Sequence, residues 1–88
     1  MRGIQKISTA NITSLTGDNI YTALKAQKIA DYRCFVGALN NNGAWVIIGF
    51  AYYEFTIVTA IINKAGNLYS YYHSSDGHNK LYHFTQLE

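Results

Sequence analysis

The stretch from Ala44 to Asn63 reads AWVIIGFAYYEFTIVTAIIN, with a single charge at Glu54. A run this long and this apolar leaves three outcomes: a membrane-spanning helix, a buried helix of a soluble domain, or two consecutive strands. Roughly 20 apolar residues suffice to cross a bilayer. However, Tyr52-Tyr53-Glu54 falls at the midpoint, where a carboxylate is costly, and no basic cluster flanks the run to orient it. A soluble helix could stop at Gly66. Against it, Thr56, Ile57, Val58, Thr59, Ile61 and Ile62 are β-branched, which favours extended backbone. The composition therefore predicts two strands, over about 44–52 and 55–63, turning near Tyr53-Glu54. No Gly, Asn or Asp marks that turn.

With 88 residues, the chain reads as one domain over 1–88. Charged residues make up 14% of it, against about 25% in ordinary domains. The 49% of hydrophobic residues, with eight Tyr and four Phe, argues against disorder. The net charge of +2 is too small by itself to indicate a polyanion partner. A lone cysteine, Cys34, excludes an internal disulfide and fits a reducing, cytoplasmic setting. The opening MRGIQKIST lacks the apolar core of a secretory signal.

The rest of the chain can be arranged around the central run. Residues 4–9 read as a short strand. Thr16 and Asp18 are helix-start signals, the first a side-chain acceptor for free N–H groups, the second also suited to the positive end of the helix dipole. The spacing predicts a helix over 18–32, with Ile20, Ala23, Leu24 and Ala30 on one arc. Gln27 falls inside that arc and Ile29 opposite it. A strand over 34–39 then leads into Asn40-Asn41-Asn42-Gly43, and Asn-Gly is a strong hairpin signal. A two-residue turn at Asn42-Gly43 sets Leu39 against Val46 and Phe35 against Phe50. Similar turns at Ala65-Gly66 and Asp76-Gly77 set Ile62 against Tyr69, Tyr71 against Tyr82, and Tyr69 against Phe84. The predicted fold is α+β: one helix on an antiparallel meander of four to five strands, ordered β-α-β-β-β-β, curved or rolled into a half-barrel. This order resembles cystatin-like folds, in which a sheet wraps one helix.

Alternation along these strands predicts two apolar faces where a half-exposed sheet needs one. One face carries Phe35, Leu39, Val46, Ile48, Phe50 and Tyr52, continued in later strands by Tyr69, Tyr71, Tyr82 and Phe84. The helix is expected on the opposite, smaller-residue face, with Cys34 buried beneath it. A single helix leaves apolar surface over, and large uncovered patches mark interaction sites. The candidate partner-binding residues are Phe50, Tyr52, Tyr69, Tyr71, Lys80, Tyr82 and Phe84.

No chemistry stands out. His73, His78 and His83 recur every five residues, but in the predicted register His83 points away from the face that His73 and His78 share, so no metal is expected. Five carboxylates offer no general acid–base pair. No glycine-rich phosphate loop is present. The expectation is a non-enzymatic, cofactor-free protein-binding module that pairs with itself as a homodimer and does not enter membranes. Compact domains of this size are often phage or mobile-element accessory proteins that inhibit host defence. The alternative is a single-stranded nucleic-acid binder, with Tyr69, Tyr71, Tyr82 and Phe84 as a stacking platform and Lys80 on the phosphates.

Overall fold

The computed structural model describes residues 3–53 and 56–84. The predicted turn residue Glu54, the start of the predicted strand at Phe55, and Thr85 lie outside them. The elements are β1 (Gln5–Lys6), β2 (Ala10–Asn11), α1 (Gly17–Ala26), β3 (Arg33–Asn40), β4 (Ala44–Ala51), β5 (Ile57–Asn63), β6 (Leu68–His73) and β7 (Asn79–Phe84). The class is α+β as expected. The strand count is not: the sheet has seven strands in the order β1-β3-β4-β5-β6-β7, with β2 also on β3. The meander after the helix is antiparallel as predicted, but it has five long strands where four were expected. The predicted N-terminal strand is two short pieces, both parallel to β3.

The central run is two strands, as its β-branched residues demand. Residues Ala51 and Ile57 face each other where the chain reverses. Among the described residues, no helix is long and apolar enough to cross a membrane.

All three hairpins are displaced by one residue from expectation. The loops are three residues long, not two: Asn41-Asn42-Gly43, Lys64-Ala65-Gly66 and Ser75-Asp76-Gly77. Observed pairs are Leu39 with Trp45, Ile61 with Tyr69, and Tyr71 with Leu81. Each loop ends in a glycine at positive φ, between 87° and 124°. A turn closed by a left-handed glycine is the usual three-residue hairpin. Gly66 N–H and Gly77 N–H close the last two loops onto the carbonyls of Asn63 and Ser74 at 3.1 Å. A one-residue slip moves every side chain of the following strand to the other face.

Helix α1 starts at Thr16, whose hydroxyl accepts from Asn19 N–H at 3.2 Å, with Asp18 in the first turn. It ends at Ala26, six residues short of expectation, because Lys28 turns left-handed at φ 53°. That turn explains the imperfect helical periodicity. Ile29, placed on the wrong side of a longer helix, leaves the helix and enters the core, while Ala30 is exposed. Gln27 makes two bonds to the Ser8 backbone, accepting from N–H at 3.0 Å and donating to C=O at 3.1 Å. Gln5 accepts from Ala30 N–H at 3.2 Å. These polar side chains tie the end of the helix to the β1–β2 edge.

The helix covers the face that carries Phe35 and Leu39, not the one that carries Val36 and Ala38. Ile20 and Leu24 join Phe35, Leu39, Ile47, Ile57, Ile61 and Tyr71 in the core. Close approach on this face depends on two glycines. Ile7 packs over Gly37, and the Phe35 ring and Thr59 pack over Gly49. Asn79 of β7 reaches the first helical turn, donating to Asp18 at 2.9 Å.

Candidate interaction surface

Strand parity fixes what lies on the sheet's other face. The observed register aligns three rows across it. Cys34, Phe50, Val58, Tyr72 and Lys80 form one row, and Val36, Ile48, Ala60, Ser70 and Tyr82 the next. Ala38, Val46, Ile62 and Leu68 form the third. No element among the described residues covers these rows. Val46 is 51% exposed, Ile48 50%, Val58 43%, Ile62 39%, Tyr72 37% and Tyr82 55%.

Charge is confined to the margins of this face. On β3, β4 and β5 none of the row residues is Asp, Glu, Lys, Arg or His. Lys80 stands on β7, and Lys6, paired beside Val36, stands on β1. Cationic side chains on edge strands keep sheets from pairing at random. Between β1 and β5 the surface dips into an open groove of about 520 Å³, lined by Ile4, Cys34, Ile48, Phe50, Tyr52 and Val58 among others. The Phe50 and Tyr52 rings meet there at 4.5 Å.

The sequence-predicted site residues are divided by the sheet. Phe50, Lys80 and Tyr82 stand on the open face, with exposed Tyr52 at its margin. Tyr69 is on the helix-covered side, half-buried between Trp45 and His83, ring centroids at 5.5 and 4.4 Å. Tyr71 has no exposed surface at all. Burial, with Tyr21 and Asp18 nearby, pushes its phenol well above the ordinary tyrosine value. The backbone of Phe84 completes β7; its side chain lies outside the described residues. The predicted registers grouped these rings together, and the one-residue slip in each hairpin separates them. Val46, Ile48, Val58 and Ile62 were not among the candidates, although their strand parity had set them on the face away from the helix, where they stand.

Cys34 corrects a further expectation. It is exposed on the open face rather than buried beneath the helix, because the helix occupies the side of its neighbour Phe35. The histidines also differ from the expected arrangement. His73 and His83 share the helix side, and His78 sits in the last hairpin. His73 stacks on Tyr21 at 4.0 Å, and burial, then the Lys25 charge, lower its pKa. Among the described residues no three potential ligands come together for a metal.

Ser74, Asp76 and His78 superficially suggest a hydrolytic triad. Asp76 accepts from the Ser74 hydroxyl and meets His78 Nδ1 at 2.8 Å. The Ser74 hydroxyl lies 3.4 Å from the same nitrogen. In a triad the serine and the carboxylate engage opposite ring nitrogens. Here they crowd one nitrogen, and the group serves as a clasp for the hairpin. Its bonds to His78 and Ser74 hold the Asp76 carboxyl down at about 2. A depressed carboxyl contributes stability above its unfolded value and loses it as pH falls toward the folded one. Acid titration of unfolding is therefore expected to show a small loss between about pH 4 and 2. Asp76→Asn should remove that component. An identical acid limb in the variant would show that the clasp carries no stability.

No family model, no curated protein and no solved structure matches the chain.

Proposed function

We propose that the chain is a small non-enzymatic protein-binding module that works through the open face of its sheet. The observation that carries this reading is the charge-free, uncovered apolar field on β3, β4 and β5. Uncovered apolar surface of this extent is uncommon on monomers and marks sites of association. Inhibition of a host defence protein by a phage or mobile-element accessory domain is one use of such a face, and no residue on it selects that use over another.

One observation favours the nucleic-acid reading as a second. Tyr72 pairs with Lys80, and Tyr82 follows on the same face, so two rings and a cation stand together. Two lysines at opposite margins are a thin grip on phosphates, and buried Tyr71 cannot stack a base. Phosphate-driven binding weakens steeply with salt, whereas apolar contact does not.

The test is photo-crosslinking in the cells that make the protein, from a photoreactive residue at position 62. Crosslinks to protein are expected, persisting in high-salt extracts and abolished by Val58→Asp. Crosslinks to nucleic acid alone, or a yield no greater than from exposed position 65, would overturn the reading.

A further inference from the structure

We propose that the occupant of the open face is a second copy of this chain, seated face to face so that the two sheets form a sandwich. This deepens the protein-binding reading and rests on it. Three observations point to self-association.

The first is area. Five strands about 4.8 Å apart and about seven residues long, rising about 3.3 Å per residue, span roughly 24 by 23 Å. Two such faces give a flat footprint of about 1,100 Å², and a specific interface needs about 1,000 Å². The molecule measures 32 × 28 × 27 Å, so this is one whole side of it.

The second is charge. A partner for β3, β4 and β5 must present a matching field without ions, since an unpaired charge pressed against apolar surface is heavily penalised. The described structure contains such a field, and it is this one. Self-complementary surfaces close as two-fold dimers.

The third is relief. Take a two-fold axis parallel to the strands, midway between β4 and β5. Strand β5 of each copy then lies over β4 of the other, so Val58 and Ile62 meet Phe50 and Val46. Strand β6 of each copy lies over β3 of the other, and β7 over β1. Tyr72, 37% exposed, belongs to the same transverse row as Cys34 and Phe50. It therefore arrives over the groove between Ile4, Cys34 and Phe50, once in each direction. Aligned sheets pack at about 10 Å with interdigitating side chains, which brings a ring of this size within reach of the groove floor. Lys6 and Lys80 remain at the solvent rim.

Sedimentation equilibrium of the full chain tests this. The wild type should sediment at twice 9.9 kDa. Ile48→Lys should sediment at the single mass with unchanged circular dichroism, while the loop variant Lys64→Glu should remain a dimer. Cys34 supplies an independent readout. Its alkylation should slow as wild-type concentration rises, and should be concentration-independent and fast in Tyr72→Ala. If Ile48→Lys fails to fold, that thiol measurement decides. A wild type of single mass at its solubility limit would overturn the proposal, as would an Ile48→Lys dimer or a Cys34 rate indifferent to concentration. A single mass together with crosslinks from position 62 to a foreign protein would reject the second copy and keep the protein-binding reading. A single mass without crosslinks would reject both.

Discussion

Tyr71→Ala is expected to cost about 3–5 kcal/mol of folding stability, the range for truncating a large buried ring. Tyr71 lies between Thr59 and Leu81 across the covered face and has no exposed surface. Removing the ring opens a cavity under α1 that neighbouring strands, held by their own ladders, fill only in part. Small domains of this length are stable by about 5–15 kcal/mol, so the loss is a large fraction of the whole. Tyr71→Phe should behave oppositely. Neither the Tyr71 hydroxyl nor Thr59 Oγ1 has a hydrogen-bond partner among the described residues. Deleting a buried, unpaired hydroxyl while keeping the ring is neutral or stabilising. Urea unfolding of both variants checks the pair. A Phe variant as damaged as the Ala variant would mean that the hydroxyl, not the ring, carries the stability. The sequence expectation placed Tyr71 at an interface, where Ala would weaken association more than folding. Its burial reverses that order.

Gly49→Ala is expected to cost about 1–3 kcal/mol through overpacking, a large effect for one added methyl. A Cβ at this position would stand 2.6 Å from the Val58 carbonyl oxygen and 2.8 Å from Phe35 Cζ. The carbonyl belongs to the neighbouring strand of the ladder, and the ring is wedged in the core, so neither gives way freely. Gly37→Ala is the instructive comparison. There the nearest atom is Ile7 Cγ1 at 2.3 Å, a closer clash on paper. Ile7 belongs to the short-stranded N-terminal edge, where a side chain can swing aside with less disturbance. Gly49→Ala should therefore lower the urea midpoint more than Gly37→Ala. The reverse ranking would show that the N-terminal edge is held more rigidly than the middle of the sheet.

Much of the element plan was legible in the chain. Thr16 caps the helix because a hydroxyl ahead of an apolar repeat can accept from free N–H groups. The run from Ala44 to Asn63 makes strands because its β-branched side chains are crowded in a helix and fit a pleated surface. Gly43, Gly66 and Gly77 mark the three reversals. The excess of apolar faces over covering elements was also countable, since alternation reports how many faces are apolar. The early end of α1 was legible only indirectly, in Gln27 and Ile29 failing to fit the helical arc.

The sequence by itself determined that there would be one helix, an antiparallel meander after it, and one apolar face too many. Only the tertiary structure decided which parity of β3 and β6 would lie under the helix. When both parities are apolar, alternation is silent about direction. The choice then depends on register, and one extra loop residue inverts each strand relative to its predecessor. It depends as well on where the helix is anchored, through Gln27 on Ser8, Gln5 on Ala30 and Asn79 on Asp18. Those contacts join residues from 19 to 61 positions apart, a separation over which local pattern carries no information. They set α1 over Phe35, Leu39 and Tyr71, residues that the expected two-residue turns had placed on the open face.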